Sequence, residues 1–261
     1  MKKIQIPAVF VCALLLFVLL FSAGCVEEEK PELTAAVCAD IPPYAYYSGG
    51  SITGIDIAVL NNIADELEMD IRLDDRYFAD LLPAVETGKD AIALCALQQS
   101  DISAYNISAH TEIVHTGITC TIPYLTTTQV IVYNAANPCT TDLTGKKAGV
   151  KYTTTADLLL FGNENYSETE LVRMKKLDDL LDLLETGEID CIVIDEMTAD
   201  RLCKANSAAR SLEKYETPLY TAQYVIAVSA ENTGLLEKLN TCIEKMIQDK
   251  TIEQICKNYL P

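Results

Sequence analysis

An internal repeat limits what this chain can fold into more than any other feature. Ala79 to Gly88 reads A-D-L-L-P-A-V-E-T-G and Asp178 to Gly187 reads D-D-L-L-D-L-L-E-T-G, six of ten positions being identical at a fixed offset of 99. Each copy runs into an aspartate and an apolar stretch, Asp90-Ala91-Ile92-Ala93-Leu94 and Asp190-Cys191-Ile192-Val193-Ile194. The pattern predicts an amphipathic helix, a glycine in the left-handed conformation that ends it, a turn, and a buried parallel strand. A period near 100 is too long for a solenoid, so the chain joins two similar α/β lobes.

A pass along the chain extends this reading. Strands are expected at Leu33–Cys38, Ile71–Leu73, 90–95, Gln129–Tyr133, Lys147–Val150, 190–194 and Tyr224–Val228. Helices are expected at Ile55–Met69 (Ile55, Val59, Leu60, Ile63, Ala64 and Leu67 at helical spacing), 78–87, from Ala156, 176–186, from Met197, Leu235–Met246 and Ile252–Tyr259. Strands alternating with helices give parallel sheets, and ligands lie outside the carboxyl ends of such strands. Two sheets facing each other make a cleft.

The N-terminus reads as a processing segment. Lys2 and Lys3 precede an apolar stretch, Val9 to Phe21, and then Ser22-Ala23-Gly24-Cys25. This order is similar to a prokaryotic lipobox, with Ser22 where leucine is commonest, and makes Cys25 the expected lipid attachment point. Residues 1–24 are then a signal peptide and 25–32 a charged tether. From Cys25 onward 237 residues remain, and without Lys2 and Lys3 the net charge moves from −18 to −20. Such acidity repels nucleic acid. Eight cysteines follow Cys25. Cys38, Cys95 and Cys191 lie in apolar runs, where cysteine acts as a small hydrophobe. Cys139, Cys203, Cys242 and Cys256 are the better disulfide candidates. None of the eight forms a CxxC, so zinc-knuckle or thioredoxin chemistry has little support.

Five stretches in order resemble the amino-acid-type (family 3) periplasmic solute-binding proteins: Asp40-Ile41-Pro42-Pro43-Tyr44 with Thr53-Gly54-Ile55-Asp56; Leu81-Leu82-Pro83-Ala84 with Thr87-Gly88-Lys89-Asp90; Pro123-Tyr124; Asp142-Leu143-Thr144-Gly145-Lys146-Lys147-Ala148-Gly149-Val150 with Thr153-Thr154-Thr155; and Gly187 to Asp195. The resemblance implies an α/β type II periplasmic-binding fold, with lobe I at 33–125 plus 221–261, lobe II at 126–220, and a hinge of two crossover strands. It implies a monomer without cofactor or metal that hands a small polar ligand to ABC permease subunits. It makes Tyr44 an aromatic platform and Asp195 the acid that meets a ligand ammonium. Asp40 shares the Tyr44 loop and is a candidate for a ligand cation. Thr154 and Thr155 stand where a helix N-terminus can hold a carboxylate.

One departure bears on the ligand. Family members that bind α-amino acids carry an arginine after the lobe I strand, which clamps the ligand carboxylate. Here the stretch reads Leu97-Gln98-Gln99-Ser100-Asp101-Ile102-Ser103, and no arginine occurs between Arg76 and Arg173. Gln98 and Ser100 offer hydrogen bonds without charge, and Lys151 is a substitute cation. An insertion before Ile118 holds His110 and His115, whose spacing fits no standard zinc motif. Two other readings are an enzyme similar to cyclohexadienyl dehydratase, with Asp195 or Asp40 as acid or base, and a ligand-sensing module.

Overall fold

The computed structural model describes residues 30–106, 117–205 and 211–259, within a chain that divides into Met1–Pro31 and Glu32–Pro261. Cys25, His110 and His115 lie outside the described residues. The first apolar run forms strand β1 (Glu32–Val37), buried along most of its length. A small sheet of β2 (Asp40–Ile41), β3 (Ala45–Ser48) and β4 (Ser51–Thr53) follows. Helix α1 (Ile55–Leu67) turns Ile55, Val59, Leu60 and Ile63 inward, at the expected spacing. It begins after Gly54, whose φ is 139° and where a Cβ would lie 2.0 Å from the Tyr44 carbonyl oxygen. Only glycine allows this approach, which puts the Tyr44 loop against the helix start: Asp56 N donates to Tyr44 O at 3.1 Å.

The chain continues through β5 (Asp70–Asp75), α2 (Leu81–Glu86), β6 (Ile92–Ala93), α3 (Gln99–Asn106) and β7 (Ile118–Cys120). It then enters a second sheet: β8 (Leu125–Asn134), β9 (Lys147–Lys151), α4 (Thr155–Leu160), β10 (Glu170–Met174), α5 (Leu177–Thr186), β11 (Cys191–Asp195), α6 (Glu196–Lys204), β12 (Leu212–Lys214) and β13 (Tyr220–Tyr224). It returns with β14 (Ala227–Ser229), α7 (Thr233–Gln248) and α8 (Thr251–Tyr259). The first sheet runs β5-β1-β6-β14-β7 and the second β10-β9-β11-β8-β12, with β13 also on β8.

Both sheets are parallel at the expected α/β units and antiparallel where the chain crosses over. β5, β1 and β6 are parallel, as are β10, β9 and β11, whereas β14 and β8 run against β6 and β11. The purely parallel expectation is corrected there. The apolar run 224–228 is likewise not one strand. It splits into β13 and β14, because Val225 and Ile226 carry the chain from one sheet to the other. The two crossings lie side by side, with Tyr124 N donating to Tyr224 O at 3.0 Å and Thr121 N to Ile226 O at 3.0 Å. The strand expected at 90–95 forms only at Ile92–Ala93.

The sequence repeat is repeated in detail in the backbone. Helix α2 ends with Lys89 N on Ala84 O (2.9 Å) and Gly88 N on Val85 O (3.1 Å); α5 ends with Glu188 N on Leu183 O (2.9 Å) and Gly187 N on Leu184 O (3.3 Å). Both are Schellman endings, with Gly88 at φ 68° and Gly187 at φ 76°. The aspartates that follow anchor their strands. Asp90 accepts from Arg76 Nε at 2.7 Å, and Asp190 accepts from Lys147 N at 2.8 Å and Lys146 Nζ at 3.2 Å.

The first sheet has one continuous core with α1, α2, α7 and α8. The second is covered on both faces. Val130, Val132, Ile192 and Ile194 meet α5 and α6, while Ile131, Tyr133, Cys191 and Val193 meet α4, in the two-residue alternation of strands. Each fully buried leucine or isoleucine contributes about 1.5–3 kcal/mol. All eight described cysteines are free thiols, which corrects the disulfide expectation for Cys139, Cys203, Cys242 and Cys256. Cys139, Cys242 and Cys256 are buried in the cores as small apolar groups, and Cys203 packs against the α5–α6 core.

Candidate functional site

The carboxyl ends of β1, β6, β9 and β11 bring Asp40, Gln98, Lys151 and Asp195 into one region between the sheets. A small cavity of about 40 Å³ lies there, lined by Ile41, Phe78, Gln98, Asp101, Gln129, Lys151, Thr154, Thr155, Asp195 and Tyr224, among others. Its volume is near that of one water molecule, ~30 Å³. A hollow of about 700 Å³ lies beside it, lined by Asp40, Asp75, Arg76, Tyr77, Asp80 and Lys176, among others. The smaller space is the candidate site, because the expected ligand groups meet around it.

Contacts from one sheet's side to the other close this cavity. Asp195, at the end of β11, accepts from Met197 N (2.9 Å) and Thr198 N (3.3 Å) and so caps α6. Its Oδ1 also accepts from the Tyr44 hydroxyl at 2.6 Å and its Oδ2 from the Tyr224 hydroxyl at 2.6 Å. The two tyrosine rings meet edge to face, 5.1 Å between centroids. Lys151 Nζ pairs with Asp40 Oδ1 at 2.5 Å and is only 5% exposed. The Thr155 hydroxyl donates to Asp101 Oδ1 and lies 3.1 Å from Ser100 Oγ. Asp101 Oδ2 accepts from Gln98 N at 2.8 Å, which caps α3. At the rim, the Arg201 guanidinium lies 4.6 Å from the centroid of the Tyr46 ring.

Burial sets the electrostatics. It pushes the Asp101 carboxyl up to about 7, with the Thr155 hydroxyl and the Gln98 amide opposing the shift. It pushes Asp56, beneath the site, up to about 6, against hydrogen bonds from the Tyr124 hydroxyl (2.7 Å) and Ala96 N (2.7 Å). Asp195 is also raised by burial, opposed first by the Tyr224 and Tyr44 hydroxyls. Burial raises the phenols of Tyr44, Tyr124 and Tyr224 as well, so they stay protonated donors.

Of the residues singled out from sequence, Gln98, Thr154, Thr155, Asp195 and Lys151 line the cavity. Asp40 faces the larger hollow and reaches the cavity through Lys151. Tyr44 is fully buried and does not line the cavity; its hydroxyl bonds Asp195 from the first sheet's side. Ile41 and Phe78 contribute to the apolar wall. Ser100 lies in an outer groove with Tyr220 and Gln223. The Thr154 hydroxyl does not cap α4 but donates to Lys151 O at 2.8 Å. Sequence reasoning missed Asp101, Gln129, Tyr224 and Phe78. For Asp101 one signal existed, an acid three residues after Gln98 at a helix start. Among the described residues no group of three or more His, Cys, Asp or Glu side chains is placed to hold a metal ion, and no helix is long and apolar enough to cross a membrane.

The chain resembles known proteins along most of its length. The chain is 25% identical over 246 residues to the ABC transporter arginine-binding protein 1 of Escherichia coli (strain K12), covering 92% of this chain and 95% of that one. It is 24% identical over 239 residues to the L-arginine-binding protein of Pseudomonas aeruginosa, covering 88% of each. An ancestral arginine-binding protein bound to arginine superposes with a TM-score of 0.78 at 22% identity, over 90% of this chain and 100% of that one. An ancestral amino-acid-binding protein, a precursor of cyclohexadienyl dehydratase, superposes with a TM-score of 0.75 at 18% identity, over 88% and 96%. These likenesses show the two-lobed α/β periplasmic-binding fold. Residues 33–261 match the family model for bacterial extracellular solute-binding proteins, family 3, and the chain belongs to that family.

Proposed function

We propose that this chain captures an amino acid or a related small polar solute in the cleft between its two sheets and delivers it to ABC permease subunits. Lobe I is residues 33–125 plus 221–261 and lobe II is 126–220, with the paired crossings at 121–124 and 225–226 as the hinge. The observation that supports this reading best is the set of contacts that span the sheets around one cavity, Tyr44 with Asp195, Lys151 with Asp40, and Thr155 with Asp101. Opening the hinge breaks all three together and exposes Gln98, Thr155, Asp195 and Lys151 to a ligand. Closure on a ligand re-forms the wall around it.

The named ligands of the arginine-binding relatives make basic amino acids and their derivatives the first solutes to try. Cys25 is the lipid attachment point in this proposal and holds the protein, as a monomer, at the outer face of the membrane. A thermal-shift screen over amino acids, amines and small organic acids tests capture, because a ligand that binds only the folded chain stabilises it by RT ln(1 + [L]/Kd). At a hundredfold excess over Kd that is about 2.7 kcal/mol, about 5–11 °C for a chain of this length. A flat melting temperature across all three classes contradicts the reading. A Cys25→Ser change should move the protein from the membrane fraction to the soluble one.

A further inference from the structure

We infer that the solute is a cationic amine or amidine without a free carboxylate, rather than an α-amino acid; this rests on the capture function proposed above. In the closed form the wall's side chains that could hold a ligand carboxylate, Thr155 and Lys151, each pair with a carboxylate from the first sheet's side. Thr155, which begins helix α4 and was expected to hold such a group, donates its hydroxyl to the Asp101 carboxylate. Asp101 is buried and lines the cavity, as does Asp195. A third carboxylate entering beside these two meets like charge once the open cleft relieves their burial and lets them ionise. Among the described residues Lys151 is the one cation of the wall, and it pairs with Asp40 Oδ1 at 2.5 Å.

The remaining valence points the same way. Gln98 is 4% exposed and lines the cavity, and its Oε1 has no hydrogen-bond partner. A buried acceptor left unpaired is costly, and what satisfies it is an N–H donor. An ammonium or amidinium supplies several such donors and compensates the charge of Asp101 and Asp195. The Tyr44 hydroxyl, which bonds Asp195 from the first sheet's side, is the contact that such a head group replaces as the cleft opens. Ile41 and Phe78 leave an apolar wall for the alkyl chain behind the head group.

Isothermal titration of the full chain with matched pairs tests this: agmatine against arginine, and cadaverine against lysine. Each pair differs by the carboxylate alone. The expected result is that at least one amine binds ~10-fold or more tightly than its parent amino acid, a difference of about 1.4 kcal/mol. Asp101→Asn, checked for folding by circular dichroism, should shrink that ratio by raising the affinity for the amino acid. The wild-type ratio carries the test if the variant does not fold. An amino acid that binds as tightly as its amine, or a preferred anionic or neutral solute, overturns the inference and leaves capture standing. Failure of every solute in the wider screen removes both.

Discussion

The two copies of the repeat end alike and then part. Both helices close on a glycine with the same pair of hydrogen bonds, and both following aspartates anchor a strand. After that, β11 runs five residues to Asp195, while β6 pairs for two residues before the chain leaves the ladder, pairing again at an isolated bridge of Gln98 with Tyr224. The second copy thus presents a carboxylate at a strand end. The first presents an amide at Gln98 and, three residues on, a carboxylate at Asp101. The repeated part is scaffold, and the proposed site lies in what diverged after it.

The largest expected break in this comparison comes from the aspartates. Asp195→Ala leaves two buried phenols and the start of α6 without their acceptor, at a cost of about 3 kcal/mol or more. Asp190→Ala removes a partly exposed pair with Lys146 and one backbone contact, worth about 1 kcal/mol. Urea denaturation of both variants checks the ranking. Equal losses would mean that the divergent aspartate is as dispensable as the repeated one.

The pH response sharpens the comparison next. The folded Asp101 carboxyl titrates at about 7 against an ordinary 3.8, and Asp56 at about 6. Between about pH 4 and 7 the folded chain therefore holds protons that the unfolded chain has released. Stability from these groups is fully present below about pH 4, falls as pH rises, and is lost above about pH 7. The ligand-free protein should melt higher at pH 5 than at pH 8, and Asp101→Asn should narrow that gap, at about 1.4 kcal/mol per pKa unit. A gap untouched by the variant would place the titration elsewhere.

The smallest effect tests the scaffold itself. Gly88→Ala and Gly187→Ala each force an alanine into the left-handed region, costing about 1 kcal/mol. Matching losses are expected from matching backbones. A loss confined to one copy would show that the two helix ends are not equivalent.

Most of the fold was legible because its signals are local. Apolar spacing marked α1, and the E-T-G endings marked α2 and α5 together with the strands that follow. What was not legible depends on distant partners. The run Tyr224 to Val228 reads as one strand because both sheets bury it, and nothing local shows that Val225 and Ile226 cross between them. Tyr44 next to two prolines reads as a loop aromatic, and only the packing of Gly54 and Tyr224 against it shows that it is buried. Asp101 sat in plain view within a polar stretch, but its weight comes from Thr155, 54 residues away.

The central claim is that the divergent carboxylates capture the solute and the repeated ones do not. Titration of the strongest thermal-shift ligand into Asp101→Asn, Asp195→Asn and Asp190→Asn proteins tests it most directly. The account predicts ~10-fold or greater weakening for Asp195→Asn and a clear change in solute preference for Asp101→Asn. Asp190→Asn should bind within about twofold of the unaltered chain. Unchanged binding in all three, or loss in Asp190→Asn alone, would contradict the placement of the site.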